Sequence, residues 1–282
     1  MPRIVNVPYE SLRQLYLLEG KSSRKIAKIF GCAYSTIDNK IRKYGFPIKT
    51  LAASHIKSFR APFSGNLAEK AYLIGFRIGD LRVRKFYKNS ETIKIDCGST
   101  RFDQIEHIES LFKPYGKIWI SKPTKENKTQ IECSVDFSFN FLLEKYSVFP
   151  NFITKKKNLF MSALAGFIDA EGHFGVSSDN KKAVFSLGNY NLPLLKQISS
   201  YLSSIRHKLI LGVKKGYKGK DGYEHRGDYW MLVINRKWDL YKFVELIKPH
   251  LLYDRKIADA ERVLVNIRER NDKFGKIGFY EK

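Results

Sequence analysis

The chain has 282 residues, 43% of them hydrophobic and 14% aromatic, with 51 Lys and Arg against 28 Asp and Glu for a formal net charge of +23. That length allows two or three compact units with real cores and excludes a disordered chain. An excess of this size exceeds what solubility asks for and favours a polyanionic partner, because each phosphate neutralised by a cation releases counterions. Residues 1–60 carry twelve Lys or Arg against three acids, so both parts of the chain are basic.

No run of eighteen apolar residues occurs, and the opening Met1-Pro2-Arg3-Ile4 is no secretory signal. The expectation is an intracellular, non-membrane protein, with cytoplasm, nucleoid and organelle matrix not distinguished. Cys32, Cys97 and Cys133 are too scattered for a zinc knuckle or a disulfide framework, and the six His form no ligand pair. Any metal must therefore sit on oxygen ligands.

From Tyr9 to Leu18 the apolar spacing is helical, Ser22-Ser23 can cap a second short helix through Ile26, Ala27, Ile29 and Phe30, and Gly31 supplies a turn. A third helix is expected from Ser35 to Tyr44, with Ile37 and Ile41 inward. Three short helices with a tight turn before the last predict a helix-turn-helix unit over 1–46, similar to those of resolvases and small transcription regulators. Ser35, Thr36, Asn39, Lys40 and Lys43 then face base edges and phosphates, and Arg24, Lys25 and Lys28 the backbone. Residues 47–66, with Pro47, Pro62 and Gly65, read as a basic tether on which Lys49, His55, Lys57 and Arg60 could follow a groove.

The remainder contains an internal repeat. Ala71–Asp80 and Ala163–Gly172 are apolar helices rich in small residues, and aligning Gly75 with Gly166 also aligns Asp80 with Glu171. Hairpin, helix, hairpin and helix signals follow each, so units at 67–158 and 159–282 both read α-β-β-α-β-β-α, an α+β fold with a further basic helix at 254–269. Gly75, Gly79, Ala165, Gly166 and Ala170 permit a close helix crossing that brings Asp80 and Glu171 together beneath two sheets. Two adjacent carboxylates repel unless a divalent cation lies between them, and Mg²⁺, with Mn²⁺ as a substitute, suits oxygen ligands and phosphodiester hydrolysis.

Leu164–Gly172, LAGFIDAEG, closely resembles the signature of LAGLIDADG homing endonucleases, and Leu73–Leu81, LIGFRIGDL, looks like its degenerate partner. The resemblance covers roughly residues 66–270 in the single-chain, two-copy form. It implies a monomer whose antiparallel strands form a saddle on double-stranded DNA, and cleavage of both strands of a long site with short 3′ overhangs. It also implies metal binding at Asp80 and Glu171, with catalytic help from basic side chains, for which Lys256 and one of Lys155, Lys156 or Lys157 are candidates. Such proteins are usually encoded in mobile introns or inteins; splicing blocks are not evident, which favours an intron or a free-standing gene. The same scaffold also serves non-cleaving RNA maturases, for which intron RNA is the partner, and DNA-binding regulators.

Two positions depart from the motif. Ile78 stands where the second copy has Asp169 and is expected to be a packing variation; Leu81 replaces the terminal Gly, kept as Gly172, and threatens the tight turn from helix into strand. Strand alternation places Arg82, Arg84, Lys94, Lys117, Gln130 and Glu132 on the groove face of the first half, and His173, Ser177, Lys182, Ser186, Lys208 and Lys214 on that of the second.

Overall fold

The computed structural model describes residues 5–48, 58, 60–219 and 222–275. The first unit is an α-helix Tyr9–Arg13 (α1) continuing into a π turn Gln14–Leu18, then α2 (Ser23–Phe30) and α3 (Tyr34–Lys43). Ser22 caps α2 by accepting the Lys25 N–H, and Gly31 ends it in the left-handed region at φ 63°. Val7, Leu12, Tyr16, Ile26, Ala27, Ile37, Ile41 and Phe46 form a small core of its own. The expected helix-turn-helix order is present; the first helix differs only in its π turn.

The first half comprises α4 (Leu67–Gly79), β1 (Arg82–Lys85), β2 (Thr92–Ser99), α5 (Phe102–Phe112), β3 (Lys117–Ile120) and β4 (Thr129–Asp136). The expected closing helix of this half is instead a 3₁₀ segment, Phe137–Leu142, followed by a short α6 (Asn151–Thr154). Phe, Ser and Asn are weak helix formers, and Asp136 caps the segment by accepting the Ser138 N–H. The second half comprises α7 (Lys157–Glu171), β5 (Gly172–Val176), β6 (Ala183–Asn189), α8 (Leu192–Tyr201), β7 (Lys208–Val213), β8 (Tyr229–Ile234) and α9 (Lys237–Ile247), and α10 (Asp254–Phe274) follows.

Each half has one antiparallel sheet, ordered β1-β2-β4-β3 and β5-β6-β8-β7. Ile93, Ile95, Ile131, Cys133 and Val135 of the first sheet, with Phe174, Phe185, Leu187, Leu232 and Ile234 of the second, turn into one continuous core that the helices cover. The opposite faces stay open.

At the centre α4 packs along α7, with every residue from Ala71 to Phe76 and from Leu159 to Ala170 buried. A Cβ on Gly75 would lie 1.8 Å from the Ala163 carbonyl oxygen, and one on Gly166 would lie 2.0 Å from that of Tyr72. The backbones therefore touch where the helices cross, and only glycine fits at either point. One crossing generates the pseudo-two-fold arrangement of the halves.

The concern over Leu81 is not realised. No positive φ occurs at either motif end, because Gly172 is extended at φ −73°, ψ 155°. Gly172 is required for space, as a Cβ there would lie 2.7 Å from Ile168 Cγ2. In the first half α4 stops at Gly79, one residue before its carboxylate, and Leu81 drops into the core at 3% exposure. Ile78 also packs against the core.

Overpacking at the crossing is expected to be costly. Gly166→Ala should lower unfolding free energy by about 3 kcal/mol in a denaturant titration, because backbone rather than a flexible side chain must move. Gly227→Ala, whose Cβ would meet only Tyr190 at 3.5 Å, should stay within about 0.5 kcal/mol of the parent.

Candidate active site and nucleic-acid interface

The helix crossing delivers Asp80 and Glu171 to neighbouring positions: a Cβ on Gly79 would meet Ala170 Cβ at 2.4 Å and Glu171 Cγ at 3.0 Å. Neither carboxylate forms an ion pair among the described residues, and each is held by a neutral amide. Gln104 Nε2 donates to Asp80 Oδ2 at 2.5 Å while its own Oε1 accepts from Ser99 Oγ at 2.6 Å. Asn189 Nδ2 donates to Glu171 Oε1 at 3.2 Å. Burial raises the Asp80 pKa to about 6, against the field of Arg101. Burial, reinforced by the charge of Asp80, raises Glu171 to about 7.

Lys256 lies in the first turn of α10, 5% exposed, and donates to the Gly172 carbonyl. Burial lowers its pKa, and its charge acts on Asp80, Asp169 and Glu171. Lys155, Lys156 and Lys157 stand instead at the start of α7, roughly 20 Å of helix from the carboxylate end. Their expected role beside the carboxylates does not fit that position.

Asp169, fully buried, ties the halves together. Its Oδ2 accepts from the Tyr72 hydroxyl at 2.6 Å and from the N–H groups of Leu252 and Tyr253 at 2.9 and 3.1 Å, which fixes the chain entering α10 and hence Lys256. Burial lowers the His107 pKa to about 4, so this ring is neutral. Since Tyr72 spends its proton on Asp169, the His107 Nε2, 2.9 Å from the Tyr72 oxygen, must be the protonated nitrogen. Ile78 gives the first half no such tie.

No cluster of three or more His, Cys, Asp or Glu that could hold a metal occurs among the described residues. Two desolvated carboxylates that form no ion pair among the described residues nevertheless fit Mg²⁺, which commonly takes one or two carboxylates and completes its shell with water and substrate phosphate.

The open faces carry the expected outward residues. On the first sheet Arg82, Arg84, Lys94, Lys117 and Gln130 share a face with Asp96, Glu132, Ser134 and the exposed Trp119. Arg84 reaches Glu132 at 3.0 Å and Asp96 at 3.4 Å, while Lys94 reaches Glu132 at 2.5 Å and Ser134 at 2.8 Å. On the second sheet His173, Ser186 and Lys208 are in register with Val233, beside Val184, Met231 and Ile210. A concavity of about 710 Å³ at its outer end is lined by His173, Ser177, Lys182, Val184 and Arg270 of α10, among others. Lys214 is exposed just beyond β7, and Ser177 is a turn residue whose hydroxyl donates to Asp179.

In the helix-turn-helix unit Arg24, Lys25, Lys28, Ser35, Asn39 and Lys43 are exposed, with Thr36 and Lys40 half-buried. Lys49, His55 and Lys57 lie outside the described residues. Arg60 departs from expectation: its guanidinium donates to Thr92 at the start of β2 and is half-buried, so it docks the tether onto the first half rather than following a groove. Arg101, Gln104 and Asn189 were missed by sequence reasoning. Only their position at the end of each first hairpin, where strand gives way to helix, could have drawn attention to them.

The raised carboxylate pKa values carry a stability cost. A folded pKa above its ordinary value of 4.5 means that the stability contributed by Glu171 is present below pH 4.5 and lost as pH rises through about 7. Glu171→Gln should therefore stabilise the metal-free protein by about 2 kcal/mol at pH 8, with the gain vanishing near pH 4.5, as read from denaturant midpoints.

Residues 161–248 match the family model of the LAGLIDADG-like domain. Among solved structures, I-DmoI in complex with DNA and calcium aligns with 70% of this chain and 100% of its own at 21% identity, with a TM-score of 0.48. A mutant of I-SmaMI aligns over 75% and 95% at 13% identity and 0.44, and I-WcaI bound to its DNA recognition sequence over 68% and 86% at 17% and 0.42. Residues 161–248 thus resemble a LAGLIDADG-like domain, and the two like-ordered sheets on either side of the central helix crossing give the chain a duplicated α+β architecture preceded by N-terminal helices.

Proposed function

We propose that this protein is a monomeric, divalent-metal-dependent endonuclease that cuts both strands of a specific duplex DNA site and leaves short 3′ overhangs. The observation that carries the reading is the pair of desolvated carboxylates, Asp80 and Glu171, at the end of the helix crossing, where the two halves of a strongly basic chain meet. DNA was a bound partner in the I-DmoI and I-WcaI structures, and calcium accompanied it in the former.

In this reading Asp80 and Glu171 would hold Mg²⁺ or Mn²⁺, which would supply an activated water and stabilise charge on the phosphate. Gln104 and Asn189 donate to the carboxylates, leaving their remaining oxygens free to ligate. Lys256, anchored by the Gly172 carbonyl and by the Asp169 contacts that fix the start of α10, presents positive charge beside the phosphate without diffusing away from it. The open sheet faces lie in the major groove, which admits a two-stranded ribbon and displays a distinct pattern for each base pair. The helix-turn-helix unit anchors the chain on adjacent DNA through α3.

The test is cleavage of a randomised duplex library with Mg²⁺ by the intact chain, Asp80→Asn and Glu171→Gln. Discrete double-strand breaks from the intact chain, lost at least about 100-fold in both variants while DNA binding persists, are expected. Binding without metal-dependent breaks would overturn the nuclease reading in favour of a maturase or regulator. Deleting residues 1–48 should shorten the protected footprint and weaken affinity while leaving the cut positions unchanged; an unaltered footprint would refute the anchoring role.

A further inference from the structure

We infer that the two sheets read opposite base chemistries: the open face of β5–β8 takes the 5-methyl groups of pyrimidines, and that of β1–β4 takes the polar edges of G·C pairs. This specificity rests on the nuclease reading above, in which both faces enter the major groove.

The two faces are built from different materials. On the second sheet Val184, Met231, Val233 and Ile210 lie together, Ile210 being 44% exposed. Gly175, Gly188 and Gly212 add no side chain above that surface; Tyr229 lies over Gly188 and Met231 over Gly212, where added Cβ atoms would meet them at 2.2 and 3.0 Å. No acid and no ion pair occurs on this face among the described residues. Its cations, Lys208, Lys182 and Arg270, stand at an edge strand and its outer end, where they can meet phosphates flanking a mainly apolar floor that also carries Ser186 and, on the other edge strand, His173. Of the groups that base pairs display in the major groove, the pyrimidine 5-methyl is the apolar one. Charge complementarity at the rim thus selects duplex DNA as the occupant, and the floor selects the methyl group.

The first sheet offers the reverse. Arg84 is clamped between Asp96 and Glu132, and Lys94 between Glu132 and Ser134, so both cations are oriented before DNA arrives. Fixed guanidinium donors suit guanine O6 and N7, and the carboxylates that fix them accept from cytosine N4. A carboxylate lattice is poorly matched to a phosphate track, which favours base edges as its partner.

The experiment is selection of tight-binding duplexes from a randomised pool by the intact chain in EDTA, followed by affinity measurements on the selected site carrying single base analogues. In one half-site, replacing thymine by deoxyuridine should weaken binding about fourfold per methyl, the value of one buried CH₂ group. Cytosine at the same positions should bind as weakly, and 5-methylcytosine should restore affinity. In the other half-site deoxyuridine should be silent, and 7-deazaguanine, which lacks N7, should weaken binding. Val233→Ser and Met231→Ser should remove only the deoxyuridine penalty, and Arg84→Ala only the deazaguanine penalty; all three positions are on the open faces. An enriched site in which deoxyuridine is silent throughout, or in which both penalties fall in one half, overturns this inference and leaves the nuclease reading standing. No enriched site overturns both.

Discussion

Two helices that touch backbone to backbone set the geometry on which everything else depends. Gly75 against the Ala163 carbonyl and Gly166 against that of Tyr72 bring α4 and α7 closer than side chains would allow. That approach fixes the angle and register of the halves, so both carboxylates arrive at one end of the crossing and each sheet turns its apolar face into the common core. A wider crossing would separate Asp80 from Glu171 and tilt the two open faces away from each other. Dispersion and apolar burial along the crossing stabilise the contact, while its position follows from the absence of Cβ atoms at two places.

The charge distribution is the second constraint. A chain with net charge +23 carries cations on the face of its first sheet, at the rim of the second and on its helix-turn-helix unit, yet leaves its two central carboxylates without an ion pair among the described residues. Amides rather than cations hold them, and burial pushes both pKa values upward. A structural role would have been served better by an arginine partner, which would stabilise the carboxylates and also remove their capacity to bind a cation. Asp169 shows the contrast: its Oδ2 accepts three hydrogen bonds and its task is to hold α10, and thus Lys256, in place. The arrangement is unsymmetrical, because Ile78 at the matching position of the first motif has no polar reach.

Most of the architecture was legible because its determinants are local and periodic. Alternation placed Arg84, Lys94 and Glu132 outward, and the repeated small-residue helices gave the duplication and the two acids. What escaped depends on tertiary context. The segment after β4 has helix-compatible apolar spacing, yet Phe137–Leu142 is satisfied by a 3₁₀ turn, since Phe139 and Leu142 reach the core from it. Leu81 seemed to threaten a turn that the sequence pattern equated with glycine flexibility, whereas Gly172 is there for lack of space. Arg60 looked like one more exposed cation until its contact with Thr92, 32 residues away, turned it inward. Gln104 and Asn189 are ordinary polar residues in sequence and acquire meaning only through the carboxylates they touch.

The central claim is that Asp80 and Glu171 form a desolvated pair that a divalent cation neutralises. Calorimetric titration of Mg²⁺ into the protein–DNA complex at pH 6.5, repeated in buffers of different ionisation enthalpy, measures the protons released on binding. With folded pKa values of about 6 and 7, the account predicts release of about one proton per chain, lost in a variant carrying both Asp80→Asn and Glu171→Gln. Cation binding without proton release, or release unchanged in that variant, would contradict it.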